Sequence, residues 1–189
     1  NDSIPEKPND ICKFTFEGLP ALAIAKSLTG EEGCVLVFQT ESEDTITKKL
    51  LELEQQNLLT HIDHHAREVF RIEAGIPSYG KDINDKNILP ETGLEHSSVS
   101  YNKGCYIGQE VIARIKTYGA PNFALMGLTI EGDVLPISGS EIKLASKKLG
   151  VIKSSIFSYS LQKNISLAYI QKDHRSPDID LDVTIDNKP

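Results

Sequence analysis

The sequence predicts an α+β fold in two parts. The first 118 residues mix short apolar runs with two amphipathic helical patterns. Residues 119–189 hold only β-type runs separated by Gly, Ser and Asp turns. The break is Tyr118-Gly119-Ala120-Pro121, so the expected domains are 1–118 and 119–189.

Residues 1–10, with Pro5, Pro8, Asn9 and Asp10, read as an entry segment without regular structure. Ile11 to Glu17 partly alternates apolar and polar residues. Leu22–Ala25 and Cys34–Phe38 are further short apolar runs, with Gly30 and Gly33 between them, giving three expected strands. Thr40 to Gln56 carries Ile46, Leu50, Leu51 and Leu53 at helical spacing, with Ser42 or Asp44 as candidate N-caps. A second helix is expected from Asp63 to Ala74, capped by Asp63 and ended by Gly75 and Pro77.

Residues 75–102 form a long loop, a type of segment that often carries function. Gly108 to Thr117 suits a short helix. Beyond the break, five strands are expected: Phe123–Ile130, Ser140–Leu144, Leu149–Phe157, Ser166–Ile170 and Ile179–Ile185, a density that suits a small barrel or sandwich. The last run alternates strictly, with an acidic row (Asp178, Asp180, Asp182, Asp186) that reads as a solvated strand face.

Composition excludes several classes of function. The 189 residues are 39% hydrophobic and 25% charged, ordinary values for a chain with its own core. The net charge of −7 and the absence of a basic cluster argue against direct nucleic-acid binding. No apolar run approaches the ~20 residues of a membrane helix. Cys12, Cys34 and Cys105 lie far apart, which suits free thiols in a reducing compartment and lacks the cysteine set that holds an iron-sulfur cluster. The expected location is the cytoplasm, or the mitochondrial matrix in a eukaryote. The chain starts at Asn1 and its only methionine is Met126, as in a processed product or a piece of a longer chain. The cues for phosphate loops, dinucleotide folds and serine hydrolases are missing.

Chemistry concentrates in Lys103-Gly104-Cys105-Tyr106-Ile107-Gly108-Gln109-Glu110. A thiol near a cation and a helix N-terminus favours the reactive thiolate. Glycines let backbone approach a ligand closely, and Gln109 and Glu110 can hydrogen bond into the same space. On spacing alone, a small buried residue beside Tyr106 and Ile107 is the commoner state for Cys105, and a core position is expected for Cys12 and Cys34. Glu73 ends its helix against the negative end of the helix dipole, a cost of ~0.3 to 1 kcal/mol that suggests use elsewhere, such as bonding a ligand's N–H groups. A surface pair with Arg71 or Lys81 explains it equally well. His61 and His65 would share a helical face if the helix began early enough, but a third metal ligand is missing.

Three stretches together resemble the aminomethyltransferase-like family, which includes the glycine-cleavage T-protein and the YgfZ-type proteins. They are Ala66 to Asp82, the octapeptide, and Leu149-Gly150-Val151 through Asn164 to Ile170. The octapeptide is similar to the Lys-Gly-Cys-Tyr-x-Gly-Gln-Glu signature of the YgfZ-type branch. The resemblance implies a folate-binding α+β (ferredoxin-like) body followed by a small C-terminal β-barrel, with tetrahydrofolate as cofactor and iron-sulfur client or assembly proteins as partners. It implies folate contacts from Glu73, Lys103, Gln109 and Glu110, and makes Cys105 the residue of chemistry. Arg175 lies near the position of a family arginine that contacts folate, with its proline one residue out of register. Family members are longer at the N-terminus, where the transferases keep a catalytic aspartate. The resemblance thus leaves two activities open: a tetrahydrofolate-binding helper of iron-sulfur assembly or repair, and an aminomethyltransferase of glycine cleavage.

Overall fold

The computed structural model describes residues 5–177 and 179–184. Contacts divide the chain into two compact units, Asn1–Phe70 and Arg71–Pro189.

The first unit begins with an antiparallel sheet of β1 (Ile11–Phe16), β2 (Leu19–Ala25) and β3 (Cys34–Phe38), in chain order. The turn between β1 and β2 uses Glu17 and Gly18, both at positive φ, which lets two residues reverse the chain. The register puts Cys12, Phe14, Ala21, Ala23, Leu36 and Phe38 on one face. Ala21, Ala23 and Ala25 are buried there, and Phe16 meets Phe38 edge to face at 6.0 Å. Cys12 and Cys34 are half-buried, so the core position expected for them is only partly reached.

Helix α1 spans Glu43–Gln55, preceded by a 3₁₀ turn at Thr40–Ser42. Ser42 stands at its N-cap but makes no side-chain capping bond, and Asp44 lies inside the first turn, so neither expected cap acts. The preceding turn has already folded the backbone there. Helix α2, His64–Glu73, is capped as the sequence predicts: Asp63 Oδ1 accepts the Ala66 amide at 2.7 Å. Gly75, at φ 69°, ends it by returning its amide to the Ile72 carbonyl.

The second unit is organised by a five-stranded antiparallel sheet in the order β4-β7-β6-β5-β8, formed by β4 (Phe123–Ile130), β5 (Glu141–Leu144), β6 (Lys147–Ser158), β7 (Lys163–Gln171) and β8 (Asp182–Val183). One face buries Ile142, Ile152, Ala168 and Ile170, with Met126, Leu128, Leu181 and Val183 packed against them. A register shift between Ile152 and Ser154 leaves Lys153 as the extra residue of β6. At Gly150 a Cβ would stand 2.2 Å from the Tyr169 carbonyl oxygen, so the close approach of β6 to β7 requires glycine.

The final strand differs from the expectation of Ile179–Ile185. Among the described residues, Asp182 and Val183 pair with Lys143 and Ile142; the chain turns first, and the Ile179 amide bonds back to the Ser176 carbonyl. The late start of the strand follows from that turn. Asp178, Ile185 and Asp186 lie outside the described residues.

The loop expected over 75–102 holds a 3₁₀ turn at Leu89–Glu91 and a short helix α3 at Glu95–Ser98. A buried clasp ties its start to the sheet. Arg71 bonds Asp82 Oδ2 at 2.7 Å and the Ile76 carbonyl at 2.6 Å, while the Ser154 hydroxyl donates to Asp82 Oδ1 at 2.5 Å and the Ser78 amide to Oδ2 at 2.8 Å. Asp82 is 1% exposed, and the three donors Arg71, Ser78 and Ser154 are of the kind a buried carboxylate needs. Helix α4 covers Gln109–Tyr118, as the sequence predicts. Among the described residues, no helix is long and apolar enough to cross a membrane.

Candidate functional site

Glu73 ends α2 against the sheet rather than in open solvent. The Ser158 and Ser160 hydroxyls donate to its Oε1 at 2.5 and 2.8 Å. Ser158 is fully buried at the end of β6, and its oxygen also accepts the Leu161 amide at 3.0 Å, which fixes the β6–β7 hairpin around the carboxylate. The Ser158 bond holds the Glu73 carboxyl below the usual carboxylate range; partial burial opposes this and Ser160 reinforces it. Glu73 is therefore an anion at neutral pH. Arg71, one of the two surface partners offered by the sequence, pairs with Asp82, and the Glu73 carboxylate accepts from the two serines.

The octapeptide forms the entrance to α4. Gly108, at φ 87°, occupies the N-cap position, a left-handed conformation suited to glycine. Cys105 is exposed, so the buried state that is commoner for a lone cysteine does not apply here. Ile107 is fully exposed beside it. Lys103 Nζ lies 4.7 Å from the centre of the Tyr106 ring, and Gln109 Oε1 accepts the Tyr106 amide at 3.3 Å. The Tyr106 hydroxyl is buried without a hydrogen-bond partner. Glu110 points to solvent and pairs with Arg114 at 2.9 Å, one turn along α4. Behind the loop, Lys116 sits over the Tyr101 ring at 3.3 Å, and the bond from the Tyr101 hydroxyl to Glu95 pushes the phenol up to about 12.

Arg175 donates from Nε to the Ile170 carbonyl at 3.0 Å and from Nη2 to the Pro121 carbonyl at 2.7 Å. Burial lowers its pKa, against the opposing fields of Asp173 and Glu91. These bonds tie the chain after β7 to the segment before β4, a bracing role that the sequence did not suggest.

Each of the three arrangements has its own partners, and among the described residues no hydrogen bond joins one to another. The sequence missed Asp82, Ser154, Ser158 and Ser160, and offered Arg71 only as a surface partner for Glu73. The serines' only signal was their run along and after β6, which reads as turn chemistry. A groove of about 410 Å³ lies elsewhere, between Thr129–Asp133 and Gln162–Asn164 with Phe157, and contains none of the predicted site residues. Among the described residues, no three His, Cys, Asp or Glu side chains are placed to hold a metal ion, and His64 instead lies 3.2 Å from the Arg67 guanidinium.

Residues 9–103 match the family model for the GCVT N-terminal domain, and residues 124–189 match that for the glycine cleavage T-protein C-terminal barrel domain. The α+β body followed by a barrel-like domain is thereby borne out. An aminomethyltransferase of Caldanaerobacter subterraneus subsp. tengcongensis is 30% identical over 177 residues, covering 94% of this chain and 47% of the relative. That of Symbiobacterium thermophilum is 31% identical over 173 residues, covering 90% and 46%. The chain thus spans about half the length of the curated relatives it matches. In fold it is similar to the crystal structure of glycine cleavage system aminomethyltransferase T from Bartonella henselae, with a TM-score of 0.78 and 19% identity over 93% of this chain and 48% of that one. With both of its parts matched in order, this chain belongs to the glycine-cleavage T-protein family.

Proposed function

We propose that this chain is a tetrahydrofolate-binding member of its family that assists assembly or repair of iron-sulfur proteins, in the manner of the YgfZ-type branch. Residues 1–118 supply the folate-binding part and 119–189 the barrel. The observation that carries the reading is the exposed Cys105, presented with a fully exposed Ile107 on a loop shaped by Gly108. A thiol so placed is open to a client protein, and accessibility is the first requirement of a contact or reactive cysteine. Glu73, fixed as an anion by its two serines, is suited to accept N–H groups of a pterin ring. Lys103, Gln109 and Glu110 complete the proposed folate contacts. Arg175 would act mainly by positioning, because Nε and Nη2 are already bound to carbonyls.

Calorimetric titration with tetrahydrofolate, together with mapping of iodoacetamide alkylation under native conditions, tests this. The expected result is saturable binding weakened by Glu73→Gln, and Cys105 alkylated ahead of the half-buried Cys12 and Cys34. Absence of folate heat with no preference for Cys105 would remove the reading.

The names of the matched relatives favour a second reading, an aminomethyltransferase. In that reaction the methylene of an aminomethyl-lipoyl carrier passes to tetrahydrofolate, ammonia leaves and the dihydrolipoyl thiol is regained. A one-carbon transfer assay separates the two, since the first reading expects little or no turnover.

A further inference from the structure

We propose that Ser158 and Ser160 are positioning residues of the Glu73 site: they occupy Oε1 and leave Oε2 as the single oxygen that the carboxylate offers to a ligand. The inference rests on the folate reading of Glu73 and deepens it, by assigning the atom that meets the ligand and the residues that decide it.

A serine hydroxyl has one proton to give. That of Ser158 goes to Glu73 Oε1 at 2.5 Å, and that of Ser160 to the same oxygen at 2.8 Å. The two hydroxyl oxygens stand 3.2 Å apart, close enough to bond each other, yet the ionised carboxylate is the stronger acceptor and takes both protons. The Ser158 oxygen accepts the Leu161 amide at 3.0 Å, which turns its proton toward Glu73. Two donors fill the lone pairs of Oε1. Among the described residues, no hydrogen bond or ion pair reaches Oε2.

The backbone beneath the carboxylate is held as well. Arg71, two residues earlier, is locked by Asp82 and lies 3.4 Å from the Ser154 hydroxyl. Ser154 and Ser158 lie four residues apart on β6 and so project from one side of the strand. What remains free in Glu73 is rotation of its long side chain, and the two serines remove it.

This arrangement gives an amide at position 73 a fixed orientation. In Glu73→Gln the serine hydroxyls still need an acceptor, so the amide carbonyl takes the place of Oε1 and the amide nitrogen that of Oε2. A donor then faces the N–H of the ligand, which is worse than a missing acceptor. Without the serines the same amide would turn over and offer its carbonyl. The serines thus support binding when residue 73 is a carboxylate and oppose it when residue 73 is an amide.

The test is calorimetric titration of the full chain and its variants with tetrahydrofolate at neutral pH. Glu73→Gln should weaken binding about tenfold or more. Adding Ser160→Ala to Glu73→Gln should recover about twofold, and adding Ser158→Ala as well about fivefold, because the amide is then free to turn. With Glu73 intact the sign reverses: Ser160→Ala should weaken binding about two- to fivefold by freeing the carboxylate, and Ser160→Thr, which keeps the hydroxyl, should retain the native affinity. A purely structural role for the serines predicts losses in both backgrounds. Ser160 is exposed, so its variants keep the test valid if Ser158→Ala, which strands the Leu161 amide, fails to fold. The inference is overturned if removing the serine hydroxyls lowers affinity or leaves it unchanged in the Glu73→Gln background, or if Ser160→Ala leaves the native affinity unchanged. Either result, with tetrahydrofolate bound by the native chain and weakened by Glu73→Gln, leaves the folate reading standing. Absence of binding by the native chain overturns the folate reading and this inference with it.

Discussion

The sheet of residues 11–38 and the sheet of residues 123–183 are both antiparallel and aliphatic, yet they use their side chains in opposite ways. The N-terminal sheet buries Ala21, Ala23 and Ala25 and leaves Ile11, Leu22 and Val37 exposed. The C-terminal sheet buries Ile142, Leu149, Ile152, Leu167 and Ile170 to 1% exposure or less. Each additional buried methylene contributes about 0.8 kcal/mol, so the second sheet draws far more stabilisation per residue from burial. It also has a polar clasp, Arg71 with Asp82 and Ser154, on top of its apolar core. The C-terminal unit is therefore expected to be the stable body of the chain, and the N-terminal sheet the part most sensitive to what covers it.

Removing Asp82 strikes the stable unit hardest. Asp82→Ala strands a buried guanidinium, and a loss of about 3 to 5 kcal/mol is expected in urea unfolding. A loss below ~1 kcal/mol would show that the clasp is well hydrated and would break the contrast. Core truncation sharpens the same point. Ile152→Ala should cost about 3 to 4 kcal/mol, and Ile46→Ala, in the thinner N-terminal core, about 2. Equal costs would mean that the two cores are packed alike. Ser158→Ala is smaller, about 1 to 2 kcal/mol, because it removes one charge-assisted bond from Glu73.

That variant also has a pH signature. The Glu73 carboxyl is held below its unfolded pKa, so its contribution is present above ~4.5 and lost as pH falls through the folded value. Ser158→Ala should raise the folded pKa in a carboxyl NMR titration and reduce this part of the acid sensitivity. The smallest effect is expected at the surface of the C-terminal sheet. Bonds from Lys148 and Lys143 bring Glu141 down to about 2, so its contribution fades between pH ~4.5 and 2, and Glu141→Gln should flatten the acid limb there.

Local chemistry made much of the fold legible in the sequence. An apolar β-type run bounded by turn residues located Phe123–Ile130, and Asp63 with Gly75 marked both ends of α2. The Ser42 and Asp44 caps failed because a preceding 3₁₀ turn replaced them, and the last strand starts late because a turn at Ser176 delays its entry. The clasp and the Glu73 site were not legible, for a different reason. Asp82 and Ser154 are 72 residues apart, and Glu73 and Ser158 are 85 apart. Periodicity reports which face a residue occupies; it carries no information about which distant serine will meet a carboxylate. The octapeptide was visible as a motif, but the exposure of Cys105 depends on how the Gly108 turn presents the loop.

That exposure has a practical side. The chain contains no tryptophan, so its intrinsic fluorescence comes from its six tyrosines alone. A maleimide dye added briefly under native conditions would react first at Cys105, ahead of the half-buried Cys12 and Cys34. The loop thus offers a ready attachment point for a spectroscopic reporter, in a protein with no competing indole signal.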